Sequence, residues 1–320
     1  MTRTLLRCAA AILGFWAMGA QAQTAYPDRP IRLVIPYAPG GGTDATIRVL
    51  AGPMGEMLGQ SIVIENRTGG AGTIGAAIVA QARPDGYTLL ADPSAHVVNH
   101  VLVRNISFNY ERDFAPIARL SVMPLVLIVA PTEPAQDLQA FIARARAERL
   151  AWASAGIGTA SHLSGFLFVQ RAGIEGPHAP YRGGSQGAQA VVAGDTAFNF
   201  ATAPSAVGLV QGGRLRALAV SSAQRMPTLP NVPTVAEAAL PGFELVEWIG
   251  LWAPNGTPDA ILDRLASVSR QALERPDVRE RLAALGMQPA YLPRPDFARF
   301  VPAQRTLMTR IATDAGIQPE

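Results

Sequence analysis

Three glycine-rich segments follow short apolar runs, and each has the composition of a main-chain anion site. The first, Pro36 to Asp44, reads PYAPGGGTD. Gly40, Gly41 and Gly42 permit positive φ and a close approach of backbone to ligand. A helix opening at Thr43 or Asp44 leaves its first amides unpaired and carries partial positive charge. That combination makes a carboxylate seat, with Thr43 adding a hydroxyl. Charge-assisted hydrogen bonds contribute about 1.5–3 kcal/mol each, so three or four hold an acid with about micromolar affinity. The competing reading is a plain strand-to-helix turn.

The second segment, Gly70-Ala71-Gly72-Thr73-Ile74-Gly75, fits G-x-G-x-x-G with Asp92 further on, the pattern of a dinucleotide fingerprint. Glu65 to Gly69 separate it from the preceding strand, whereas the Rossmann turn leads directly into its first glycine. An exported chain is also removed from the main nicotinamide pool. The segment reads better as a second backbone donor site. The third region joins SAGIGTASH (Ser154–His162) to YRGG (Tyr181–Gly184). Ser161 or Ser164 could cap a helix there, and Tyr181 and Arg182 could bring a phenol and a guanidinium to a cleft. Arg182 is either a bidentate carboxylate partner or one half of a surface ion pair.

Catalytic and metal chemistry find little support. His96 and His100 are four residues apart, a spacing that suits two ligands on one helix face, but no carboxylate pattern accompanies them. Ser161 beside His162 is not a triad, and no G-x-S-x-G occurs. Glu65, Asp92 and Asp195 show no pairing. No catalytic residue, metal or cofactor is expected.

The elements that position these loops alternate. Ile31–Ile35 reads as a strand. The following helix, with Ile47, Leu50, Met54 and Leu58 at helical spacing, should kink or split at Gly52-Pro53. A strand at Ser61–Glu65, a helix at Thr73–Ala82 and a strand at Tyr87–Ala91 follow. Further strands are expected at Leu125–Val129, Leu150–Ala153, Ala197–Phe200 and Leu215–Val220. After Trp252 the chain turns helical, with starts at Thr257-Pro258 and Pro276 and a stop at Gly286. The repetition predicts α/β layers with loops collected at the carboxyl ends of strands.

Arg3 and Arg7, an uncharged stretch from Cys8 to Ala20 and the small residues of Ala20-Gln21-Ala22 form a secretory leader, cleaved after Ala22. The expected compartment is the periplasm. Cys8 is the only cysteine, so the mature chain would hold no thiol. All 27 basic residues are Arg, against 24 acidic ones, with no basic stripe interleaved with aromatics. No nucleic-acid partner is expected.

In order, the segments YPDRPIRLVIPYAPGGGTD, LGQSIVIENRTGGAGTIGA, PDGYTLL, DFAPIARL, SAGIGTASHLSG, LRALAVSSAQRMPTLPNVPTVAEAALPGFE and APNGTP resemble the periplasmic receptors of tripartite tricarboxylate transporters, often called Bug proteins. The resemblance implies the type II periplasmic-binding-protein fold. That fold has two α/β lobes joined by two crossing strands, with ligand between them. The crossings fall near Leu120–Leu125 and Glu244–Trp248, giving residues 23–122 and 248–320 to the first lobe and 123–247 to the second. The implied ligand is a small mono-, di- or tricarboxylic acid, its recognition often mediated by water. The implied partners are transporter membrane subunits, met by a monomer. Implied first-lobe contacts are Tyr37, Ala38, Gly42, Thr43, Asp44, Gly72 and Thr73; from the second lobe come Ala155, Gly158, Thr159, His162, Tyr181 and Gly184. Where the family often has aspartates, this chain has Ala190 and Ala197, which argues against an ammonium-bearing ligand. The rivals are a sensory module signalling to a membrane kinase and, less well supported, an exported enzyme. Gly42→Val is expected to fill the seat while leaving the fold intact.

Overall fold

The computed structural model describes residues 26–314, 316 and 317. The expected leader, Cys8 and the cleavage point after Ala22 lie outside the described residues. The run IRLVI forms β1 (Ile31–Ile35). Helix α1 (Gly42–Leu58) leads to β2 (Ile62–Asn66), and α2 (Thr73–Ala80) to β3 (Thr88–Pro93). Both neighbours pair parallel with β1. The short α3 (Asn99–Leu102) then precedes β4 (Phe114–Val129), a strand of 16 residues.

A second series follows: α4 (Leu138–Ala147), β5 (Trp152–Ser154), α5 (Ala160–Ala172), β6 (His178–Pro180), α6 (Gly184–Ala193) and β7 (Phe198–Thr202). It ends with α7 (Ala203–Gln211), β8 (Arg216–Val220) and the short α8 (Val235–Ala238). The chain returns through β9 (Val246–Pro254), α9 (Asp259–Glu274), α10 (Pro276–Ala284), β10 (Gln288–Leu292) and α11 (Arg294–Asp314).

β4 is common to both lobes. From Phe114 to Pro124 it lies antiparallel to β9, with β10 on its other edge. From Leu125 to Val129 it pairs instead with β7 and β8. The sheets therefore read β2-β1-β3-β9-β4-β10 and β8-β4-β7-β5-β6. Pro124 has no amide to donate, and it sits where one set of partners gives way to the other. Leu125 to Val129 are completely buried, as a strand covered on both faces requires.

Two expectations need correction. α1 is not split at Gly52-Pro53 but continues to Leu58, ending at Gly59 in the left-handed region. A helical proline costs about 3 kcal/mol, whereas burial of Leu50, Met54 and Leu58 contributes about 1.5–3 kcal/mol each. Packing holds the helix across the proline. The segment after Trp252 is also not wholly helical, since β10 adds an edge to the first sheet beside β4.

The second lobe buries an aromatic stack. His178 lies 4.1 Å from the Trp152 ring and 4.5 Å from that of His162. Burial pushes His162 down to about 3, aided by His178, and pushes His178 down to about 4. A depressed histidine stabilises the fold above its unfolded pKa, about 6.5, and loses that contribution as pH falls toward the folded value. Urea unfolding should therefore show stability declining from pH 6.5 to pH 5. His178→Phe should reduce the slope by up to about 1.4 kcal/mol per pH unit. An unchanged slope would refute this account of the stack.

Candidate functional site

The glycines of the first loop do what their backbone freedom allows. Gly40 has φ of +81°, and its amide donates to Asp44 Oδ2 at 2.9 Å. Arg48 Nε and Asn66 Nδ2 also donate to Asp44, at 2.8 and 3.1 Å. Burial raises the Asp44 pKa, but these hydrogen bonds outweigh it and hold the group below the ordinary carboxylate range. Asp44 therefore fastens the loop from within. The first bond of α1 runs from Ala45 N to Gly41 O, so the amides of Gly42, Thr43 and Asp44 precede the helical ladder.

The second lobe presents a matching end. α6 starts at Gly184, and its first bond is Gly187 N to Gly183 O. A Cβ on Gly41 would lie 3.5 Å from the Gly184 amide nitrogen. The two helix N-termini thus converge from opposite lobes. Between them is a buried cavity of about 20 Å³, lined by Tyr37, Ala38, Gly41, Gly42, Thr43 and Asp44 on one side. Ala155, Thr159, Gly184 and Thr202 line the other, with Pro93 and Glu247 at its base. A second cavity of about 490 Å³ shares Tyr37 and includes Gly72, Gly156, Ile157, Tyr181 and Arg182.

Direct bonds hold the lobes together across this cleft. Ala38 N donates to Arg182 O at 2.9 Å, and Ser185 Oγ to Pro39 O at 2.7 Å. The approach is close enough to require glycine. A Cβ on Gly158 would stand 2.2 Å from Asn99 Oδ1, and one on Gly183 would stand 3.0 Å from Ala38 N.

Several expected residues have other duties. The amide of Gly72 bonds Gly69 O, that of Thr73 bonds Gly70 O, and that of Ile74 reaches Gly69 O. The second loop uses these three donors within itself. Gly72 lines the larger cavity; Thr73 lines neither. His162 is buried in the second-lobe core, where its Nδ1 accepts from Gly158 N at 3.3 Å. Neither His162 nor Gly158 lines a cavity wall. Thr159 caps α5 through His162 N at 3.3 Å. Tyr181 and Arg182 border the larger cavity, and the Arg182 guanidinium makes no ion pair among the described residues.

Gly42 departs from expectation. A Cβ there would lie 2.6 Å from Met123 Sδ, and Met123 is fully buried. Gly42→Val would therefore press on the flexible end of the Met123 side chain as well as on the seat, so local repacking beside β4 accompanies the filling of the seat. Ala190 and Ala197 line neither cavity, so their lack of charge does not alter the cleft lining.

Glu247 escaped the sequence reading. It is fully buried, accepting from Ser94 N at 3.0 Å, Trp248 N at 3.1 Å and Ala160 N at 3.3 Å. Burial raises its pKa, and these amides oppose the rise. It ties β9 to the end of β3 in one lobe and to α5 in the other. In sequence it is one of two acids in FELVEW, with nothing to separate it from exposed Glu244.

No reactive constellation faces the cleft among the described residues. Ser161 Oγ bonds Asn199 Oδ1 rather than a histidine. The contact of Ser154 Oγ with His178 Nε2, at 2.8 Å, lies outside both cavities. His96 is buried against Asp92 at 2.9 Å while His100 is exposed, and no group of metal-ligating residues occurs among the described residues.

The sequence profile described as the tripartite tricarboxylate transporter family receptor matches residues 46–317. A UPF0065 protein from the tcbD-tcbE intergenic region of Pseudomonas sp. strain P51 is 40% identical over 274 residues, spanning 85% of this chain and 82% of that protein. The structure of the periplasmic binding protein BugD superposes with a TM-score of 0.88 at 31% identity, covering 92% of this chain and 100% of that one. The R. palustris protein Rpa4515 with adipate gives 0.89 at 32% identity, with the same coverage. The two-lobed type II fold is shared with these receptors.

Gly183 offers a test of closure. Its φ of 165° is extended backbone open to any residue, and a Cβ would meet only Ala38 across the cleft among its near neighbours. Overpacking costs about 1–3 kcal/mol, so Gly183→Ala should weaken ligand binding about tenfold or more. Its urea m-value should match that of the parent. Equal calorimetric affinity in the two proteins would show that the lobes do not close this tightly on ligand.

Proposed function

Because the chain belongs to the tripartite tricarboxylate transporter receptor family, we propose that it is a periplasmic receptor that captures a small carboxylate and delivers it to a tripartite membrane transporter. The observation that carries this reading is the convergence of two helix N-termini, α1 and α6, on one buried cavity. Main-chain amides aimed from opposite lobes suit a group that carries negative charge on two oxygens.

Binding couples to movement by simple thermodynamics. The acid meets one helix end while the lobes are apart, and closure adds the second. Ligand shifts the equilibrium only by its differential affinity for the closed form. The bonds Ala38–Arg182 and Ser185–Pro39 form at that stage, and the closed pair of lobes presents the surface that membrane subunits recognise. Export fits the same role, with the leader removed after Ala22. Among the described residues no helix is long and apolar enough to cross a membrane. The role is capture and release without turnover, since the cleft brings no nucleophile and base together.

A thermal-shift series with mono-, di- and tricarboxylates tests this. An acid present at 100 times its dissociation constant should add about 2.7 kcal/mol of stability. The bound acid should be recovered chemically unchanged after prolonged incubation. If no carboxylate stabilises the folded protein, the proposal fails; if the acid is consumed, the protein is an enzyme.

A further inference from the structure

The lining of the inner cavity is unbalanced in charge. It holds three titratable side chains, Tyr37, Asp44 and Glu247, and no Arg or His. Asp44 is matched by Arg48 at 2.8 Å. Glu247 is held by main-chain amides instead. Its Oε1 accepts from Ser94 N and Trp248 N at 3.0 and 3.1 Å, and its Oε2 from Ala160 N at 3.3 Å.

An acid seated by the two helix ends adds a carboxylate to this enclosure. Like charges repel strongly where the surroundings are poorly polar, and a proton on one of them relieves the repulsion. Asp44 keeps its charge: burial raises it, but its bonds to Arg48, Gly40 and Asn66 outweigh that. Tyr37 is already a neutral phenol, held well above its ordinary range by burial and by Asp92. The elements packed around the cavity add no competitor. His162 on α5 is pushed down to about 3 by burial, aided by His178. Asp92 and His96, on β3 and the turn after it, bond each other at 2.9 Å outside the lining. β4 sets Met123 opposite Glu247, and Arg182, just ahead of α6, borders the other cavity. Glu247 remains, and burial favours its neutral form.

We propose that Glu247 is a ligand-binding residue that acts as the neutral acid: binding takes one proton from solvent onto Oε2, and that O–H donates to the ligand carboxylate. Oε2 is the less engaged oxygen, with its one listed amide at the longest of the three distances. An O–H···O⁻ hydrogen bond is among the shorter and stronger kinds, so the step turns a repulsion into an attraction. This rests on the receptor reading above and deepens it. A proton taken up on binding makes affinity fall as pH rises.

Calorimetry on the purified protein reads the proton directly when run in PIPES and in Tris, whose heats of ionisation differ. The probes are acetate, benzoate, malate and adipate, with any further acid that the thermal-shift series brings out. At about pH 7.5 the carboxyl groups of these four are already ionised, so a proton taken up enters with the acid and is not carried by it. Each acid that binds should bring close to one proton, and its affinity should fall roughly tenfold per pH unit between about pH 7 and 8. Glu247→Gln should bind with no proton uptake and with affinity level across that range. Uptake below about half a proton in the parent overturns the inference and leaves the receptor reading standing. Uptake retained in full by Glu247→Gln also overturns it, because another group would hold the proton. The parent measurement decides the matter alone if Glu247→Gln fails to fold. If no carboxylate binds, the receptor reading falls, and this inference with it.

Discussion

Two helix ends in this protein face each other across one cavity, and among the described residues the amides of Gly42, Thr43, Asp44 and Gly184 have no protein acceptor. α1 begins its ladder at Ala45 and α6 at Gly187; of the residues ahead of them, Gly42, Thr43, Asp44 and Gly184 line one cavity. A buried donor without a partner costs about 1–3 kcal/mol. The closed arrangement is thus stable to the degree that an acceptor sits between the ends, which makes closure conditional on ligand. A carboxylate is well matched to the task, since two oxygens can serve two helix ends at once.

The lobes can approach this closely because side chains have been removed from the contact. Gly158 against Asn99 and Gly183 against Ala38 leave no space for a methyl group. Main chain therefore meets main chain, as in the Ala38–Arg182 bond. Such an interface is short-ranged and stiff. The strand β4, shared by both lobes, runs through a fully buried segment from Leu125 to Val129.

The order of elements was legible in the sequence where local chemistry decides it. Ile31–Ile35 is a strand because apolar β-branched residues end at a proline and a glycine cluster. PGGGTD announces a loop that needs positive φ followed by a helix start, and the structure provides both. What was not legible depended on distant partners. Pro53 stays helical because Leu50, Met54 and Leu58 are buried on the core face, a fact about packing rather than about Gly-Pro. The part of β4 paired with β9, Phe114 to Pro124, carries two prolines and alternates poorly, so only the uniformly apolar Leu125 to Val129 stood out. The second glycine loop resembled a donor site but winds its amides onto Gly69 and Gly70, which spacing alone cannot foretell. His162 matched a motif, yet it stacks with Trp152 and His178 in the core. Glu247 carries no local signal at all.

Internal carboxylates shape what the cleft can accept. Asp44 takes the Gly40 amide and Glu247 takes the Ala160 amide, so these two donors already have acceptors. The two acids differ in how their charge is balanced. Asp44 has Arg48 beside it, whereas Glu247 rests on amides alone and is pushed toward protonation by burial. A ligand carboxylate entering this enclosure adds a further negative charge, and the low polarity of the surroundings magnifies the repulsion between like charges. One such group can be accommodated by the two helix dipoles. A second or third in the same enclosure would have no compensating cation among the residues that line it.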